Sequence, residues 1–404
     1  MGVSRHGRAA IVQVAIVVPL MTATIAGLLA LWPSGEVHET GIVAVDAEYP
    51  QARVTSTRTD SCAGTNEDRQ PDGTIPGSVP CTLVTAEVAG QTVEVWAPAT
   101  VRAADVPPGT SIVLVRYLET DSEPEVWAWF DYSRSAPLGA LAVAFAIVVI
   151  AVAGLRGLRA LIGLAVASIV IATFMLPALL EGRDALMVGL VGSSAIMFVV
   201  LYLAHGFSQR TTTALLGTFA GLAVTAILGV LAAKAAHLTG ISTEENYRLA
   251  MLTGQLDGTA LRGLFLAGVA LAGLGVLNDV TVTQASAVWE LRDADPTASR
   301  RALFSRGMRI GRDHIASAVY TIAFAYAGAA LPVLLLLQVY RLPILQTISS
   351  GEFAEEIART LVGSIGLVLA IPLTTVIAAL VVTTQPVRRR HLEREPGGHV
   401  HAHT

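Results

Sequence analysis

The stretch GVLNDVTVTQASAVWEL, residues 275 to 291, places Asn278 and Asp279 directly after an apolar run from Gly263 to Leu277. Hydroxyl and amide side chains then recur at Thr281, Thr283, Gln284 and Ser286. A carboxylate inside a membrane costs at least ~2.5 to 3.5 kcal/mol, so it normally has a partner and a role, such as an ion path or a proton relay. Wound as one helix, residues 263 to 286 put Gly268, Ala272, Gly275, Asp279, Thr283 and Ser286 on one stripe by steps of three and four. Small residues on that stripe let a second helix approach closely and turn Asp279 towards it. The competing expectation is that the helix runs past the bilayer towards Arg292, which leaves Asp279 as an ordinary acid at the cytoplasmic mouth.

The next stretch, RGMRIGRDHIASAVYTIAFAYAGAALP, supplies a candidate partner with Arg309, Arg312, Asp313 and His314 at the inner start of a span. Asp313, Ser317, Tyr320, Phe324 and Ala327 share one helical stripe, polar at one end and apolar at the other. An ion pair between Arg312 and Asp279 would satisfy both groups. Equally, these arginines serve as positive-inside residues that meet anionic headgroups. His314 is a candidate proton-relay member, or else an ordinary hydrogen-bonded interfacial histidine.

Other chemistry is thinner. Pro372, Thr374 and Thr375 in AIPLTTVIAAL mark either a bend or a cation-coordinating break. His399, His401 and His403 in the tail form at most a loose metal site. Glu181 and Asp184 flank a short polar loop without a nucleophile or paired acid, which argues against an enzyme. Lys234, the only lysine, is followed by Ala235, so there is no Walker A motif for ATP. No cofactor is expected, and nothing points to nucleic acid.

These side chains must be positioned by membrane helices. Of 404 residues, 53% are hydrophobic and 14% charged, where soluble domains carry roughly a quarter charged residues; mean hydropathy is +0.60. Charge-free runs near the ~20 residues a span needs predict eight transmembrane helices, at 9–31, 136–155, 160–180, 185–204, 211–233, 263–279, 315–339 and 361–384. Arginines at 5, 8, 156, 159, 210, 292, 300, 301, 306, 309, 312, 388, 389, 390 and 394 then fall on one side. The positive-inside rule makes that side cytoplasmic, with both termini there. The first span reads as an uncleaved anchor, because its apolar run exceeds a signal peptide's and no A-x-A site follows.

The expected organisation is an anchor (1–32), an extracytoplasmic β-domain (33–131), a multi-span all-α polytopic domain (132–385) and a basic, histidine-containing tail (386–404). The β-domain rests on β-branched runs such as HETGIVAVDAEYPQARVTSTRTD, CTLVTAEVAGQTVEVWAPATV and TSIVLVRYLET. Turns are expected at AGQT and DVPPGT. About five strands suggest a small antiparallel barrel, OB-like by analogy. Cys62 and Cys81 both lie there, and an exported location makes a disulfide the natural state, with two unpaired thiols as the alternative. The segment HLTGISTEENYRLAMLTGQLDGTAL is either an amphipathic surface element or a solvated connector.

The two stretches GVLNDVTVTQASAVWEL and RIGRDHIASAVYTIAFAYAG resemble the signature segments of the YibE/F-like family of bacterial polytopic membrane proteins. The resemblance covers most of the chain. It implies the anchor, exported β-domain and multi-span core, a bacterial cytoplasmic membrane location, and Asp279, Arg312 and Asp313 as the residues to test; it implies no substrate. Two functions are weighed from here. One is a secondary transporter or permease for an ion or small solute, with Asn278, Asp279, Thr283, Ser286, Arg312, Asp313, His314, Ser317 and Tyr320 along its polar path and the lipid bilayer as its surroundings. The other is a scaffold or sensor whose β-domain, residues 33–131, binds an envelope protein.

Overall fold

The computed structural model describes residues 5–35, 47–70, 72–119, 124–240, 242, 244–253, 258–341 and 343–384. It divides into two compact units, residues 39–152 on one hand and 1–38 with 153–404 on the other.

The first unit is built on an antiparallel sheet of six described strands: β1 (Ala47–Glu48), β2 (Gln51–Cys62), β3 (Val79–Val88), β4 (Gln91–Trp96), β5 (Ser111–Tyr117) and β6 (Val126–Tyr132). Their order is β1-β5-β2-β3-β4, and β6 also pairs with β5. Among the described residues β4 and β6 do not pair with each other, so the sheet is an antiparallel half-barrel where a small antiparallel barrel of about five strands was expected. Alternation on β2 and β3 buries Val54, Val84, Ala86 and Val88 with Ile112 and Leu114 of β5. The AGQT turn holds Ala89 and Gly90 at φ 50° and 83°, the left-handed pair a tight hairpin needs. Cys62 and Cys81 form a disulfide with Cα atoms 5.8 Å apart, tying the end of β2 to the start of β3. Part of the first expected strand, residues 38–46, lies outside the described residues.

The helices are α1 (Arg5–Leu31), α2 (Ser135–Val170), α3 (Leu176–Leu180), α4 (Ala185–His205), α5 (Gln209–Ala235), α6 (Glu244–Thr253), α7 (Gly258–Ala294), α8 (Arg300–Ala329), α9 (Leu331–Tyr340), α10 (Ile344–Ile348) and α11 (Gly351–Val382). Among the described residues, six helical runs are long and apolar enough to cross a membrane, against eight expected. One cause is that 135–180 forms a single run of 46 residues, interrupted at Gly154, whose φ of 59° is non-helical. The other is that the run expected at 315–339 is divided between α8, which is too polar, and the short α9. The boundary between the two compact units falls between Val152 and Ala153, next to Gly154. Apolar side chains from Leu138 to Val152 are largely exposed.

The bundle is organised around α5, which lies against α7 and α11. In GTFAGLAVTAILG the residues Gly217, Gly221, Thr225 and Gly229 repeat every fourth position, which stacks them on one face. Gly217 lies against Thr374, Gly221 against Leu277 and Ala370, and Gly229 against Leu266 and Val362. Thr225 in turn fills the space above Gly366 of α11. Small residues allow this approach because no Cβ stands between the backbones.

We expect Cys62→Ser with Cys81→Ser to lower the stability of the sheet unit by about 3 kcal/mol, since the crosslink spans 19 residues and removes loop entropy from the unfolded chain. Denaturant unfolding of the full chain, followed by fluorescence of Trp96, Trp127 and Trp129, measures it.

Candidate functional site

Helix α7 has two chemically different faces. Its inner face carries Leu274, Leu277, Thr281, Gln284 and Val288, all buried, spaced three and four apart. The hydroxyls of Thr218 and Thr281 lie 2.6 Å apart between α5 and α7. Gln284 donates from Nε2 to the carbonyl of Gly307 in α8 at 2.9 Å and to Oγ1 of Thr375 in α11 at 2.7 Å. Thr375 Oγ1 in turn donates a hydrogen bond to the carbonyl of Ile371. Gly311 leaves room on α8 for Ile371 and for Oε1 of Gln284. One amide therefore joins three helices, and bonding within the bundle spares each group the cost of burial without a partner. Proline 372 sits inside α11 without ending it. Thr374 and Thr375 are fully buried helix contacts.

The stripe expected to meet a partner helix is the other face. Asp279, Gly275 and Ala272 are exposed, and Thr283, Ser286 and Asn278 are half-buried. Gly268 makes room for the guanidinium of Arg359, not for a helix backbone. On α8, Arg309, Arg312, Asp313, His314, Ser317 and Tyr320 are likewise exposed, and no ion pair joins Arg312 to Asp279. The two helices do pack together, through Val276, Val280, Ile315, Ala318 and Ile322. The charged residues sit beside that seam.

Their depth follows from the neighbours. Leu222 is the middle of the charge-free run 211–233 on α5, and adjacent Gly221 touches Leu277 and Ala370. Asp279 is two residues beyond Leu277, so its level is about 3 Å from this plane at 1.5 Å per residue. Gly311 lies against Ile371, which brings Arg312, Asp313 and His314 to the same level. Four ionisable side chains thus surround the middle of the bundle's apolar length, on its outside. Sequence reasoning weighed an Asp279 turned towards a partner helix against an ordinary acid at the cytoplasmic mouth; here its side chain is exposed. The same reasoning passed over the inner hydrogen-bonded face, whose signal was the spacing Leu274, Leu277, Thr281, Gln284, Val288.

Beyond this level, a cavity of about 240 Å³ opens between α7, α8 and α11, bordered by Val276, Thr321, Tyr326, Arg359 and Thr360. Arg359 lies 3.5 Å from Glu356 and stacks over Phe265 at 5.5 Å. Its Nε is buried and donates no hydrogen bond. Buried Asn278 Oδ1, Ser193 Oγ and Thr374 Oγ1 also lack a hydrogen-bond partner.

The acids of the EGRD loop have structural work. Asp184 caps α4 by accepting from the Met187 N–H at 2.8 Å. Glu181 receives the Ser34 N–H and hydroxyl on Oε2, at 2.9 and 3.1 Å, and the Gly35 N–H on Oε1 at 2.7 Å. These bonds, led by the Ser34 N–H and joined by nearby Arg183, hold the Glu181 carboxyl below its usual range. The first helix is thereby pinned at one end. At the other, buried Gln13 donates to Thr213 Oγ1 at 2.9 Å and to the Gln209 carbonyl. Among the described residues no His, Cys, Asp and Glu cluster could hold a metal. His399, His401 and His403 lie outside the described residues.

A family model described as YibE/F-like protein matches residues 141–384, more than half of the chain and all of α4 to α11. No curated protein and no solved structure matches.

Two predictions follow from this geometry. Gln284→Leu should cost about 1 kcal/mol, because its loss leaves Thr375 still bonded to Ile371. Gly311→Val should cost more, about 1 to 3 kcal/mol, by forcing a Cβ onto Ile371; unfolding in detergent ranks the two. A carboxyl with a lowered folded pKa stabilises above its unfolded value and loses that contribution as pH falls through the folded one. Wild type should therefore melt above Glu181→Gln at pH 7, and the gap should close below about pH 4.

Proposed function

We propose that this chain, which belongs to the YibE/F-like protein family, is a secondary transporter or permease for an ion or small solute in the bacterial cytoplasmic membrane. One observation carries the reading: Asp279, Arg312, Asp313 and His314 are exposed level with the middle of the bundle's apolar length. Intramembrane ionisable groups are costly and mark ion and proton pathways. The cavity beside Arg359 and the unpartnered Asn278 Oδ1 extend the polar groups along the same helices. Without a Walker A lysine, the driving force is an ion gradient or the solute's own gradient. Catalysis has no part in this proposal.

In this reading the membrane is crossed eight times. Support comes from the break at Gly154, which divides the 46-residue run, and from the end of α8 with α9, which together replace one expected span. Both termini are cytoplasmic and the sheet is exported, following the arginine bias. The disulfide supports export of the sheet.

A second reading, a scaffold or sensor, has its own support in the sheet. Tyr49 and Phe130 form an exposed edge-to-face pair at 4.9 Å, the kind of aromatic surface that a protein partner in the envelope covers.

The deciding experiment is charge movement in proteoliposomes with protons, metal cations and small anions, comparing wild type with Asp279→Asn. Transport predicts a wild-type current that falls by at least about tenfold in a mutant of unchanged melting temperature. A mutant as active as wild type removes Asp279 from the path. Silence of wild type towards the whole panel, with capture of one defined protein by crosslinks from 47–132, favours the scaffold.

A further inference from the structure

We propose that the exposed face of α7 and α8 is an interface between two copies of this chain, joined side by side about a two-fold axis along the membrane normal. The argument begins with depth. Asp279, Arg312, Asp313 and His314 lie level with Gly221, Leu277 and Ala370, in the middle of the apolar lengths of α5 and α11. All four are exposed on the outside of the bundle, and none borders the cavity beside Arg359. Lipid tails offer neither hydrogen bonds nor counter-charges, so a protein surface must cover this face.

The pattern of charge selects a second copy as the occupant. Asp279 and Asp313 are matched in number by Arg309 and Arg312, all exposed within about two turns of one another. The patch is thus self-complementary: under a two-fold operation, the acids of one copy meet the arginines of the other at the same depth. A partner bearing only one sign of charge would satisfy half of it. Steric room agrees, because Gly275 and Ala272 are exposed one and two turns from Asp279 on the same stripe and let a second backbone close in. Open space around Gly275, with nothing within 4 Å of a Cβ built there, leaves that approach free. Arg312 and Asp279 are not paired within one chain, which leaves both available across the axis.

This inference stands on membrane depth and charge, whether or not the protein moves a solute. Cysteines introduced as Gly275→Cys or Ala272→Cys in the full chain, in native membranes and at low expression, should yield a crosslinked species of twice the mass containing this chain alone. Leu231→Cys, an exposed apolar site on another helix, should yield none. Asp279→Arg or Arg312→Asp, added to Gly275→Cys, should each reduce crosslinking by about tenfold, and the two together should restore it. Single-molecule photobleaching of the otherwise unaltered, labelled protein in bilayers should count two copies per spot.

One copy per spot, a crosslink to a different protein, a crosslink that leaves the mass unchanged, or equal crosslinking from Leu231→Cys would each overturn the interface. Because these readouts report assembly and the current reports transport, a silent dimer and an active monomer are distinguishable outcomes.

Discussion

The closeness of α5 to α7 and α11 is the constraint on which the bundle depends. Between helices in a membrane, apolar side chains gain little from leaving lipid for one another, so contact must come from dispersion and hydrogen bonds at short range. The repeat Gly217, Gly221, Thr225, Gly229 makes that range attainable. Once α5 is seated, Thr374, Ala370 and Val362 of α11 and Leu277 and Leu266 of α7 occupy the spaces the glycines leave. Thr218 and Thr281 then come within hydrogen-bond distance.

Seating α7 in this way fixes which of its faces is dry. The inner face holds neutral hydrogen-bonding groups, each satisfied by a neighbouring helix, with Gln284 as the joint among α7, α8 and α11. Charged groups are left to the outer face, at almost the same depth. Neutral amides and hydroxyls suit a permanent joint because they need no counter-charge. Ionisable groups gain their use where something can come and go, or where a second chain completes them.

At the ends of the helices, carboxylates do quieter work. Asp184 caps α4, Glu181 holds the residues after α1, and buried Glu355 accepts from the Gly240 N–H and the Ser242 hydroxyl. Asp295 fixes the turn between α7 and α8 through Thr297 and Arg306. Each supplies an acceptor to backbone, hydroxyl or guanidinium donors at a helix start or in the connections between helices. The two acids of the EGRD loop are both occupied in this way.

Much of this was legible in one dimension. Composition alone separates a membrane chain from a soluble one, because hydrocarbon tolerates few charges over ~20 residues. Charge-free apolar runs located most helices, turn residues located the AGQT hairpin, and the expected export pointed to the Cys62–Cys81 disulfide, since turns and spans are local properties of the chain. The residues Asp279, Arg312 and Asp313 stood out for the same local reason. Which way they point was decided only by tertiary structure: stripes 268–286 and 274–288 have the same three-four spacing, and both contain small or polar residues. The choice between them was made on another helix, where α5 offers its glycines to Leu277 and Thr218 to Thr281. A helix's own period states that it has faces, and only its neighbour's shape says which one is buried.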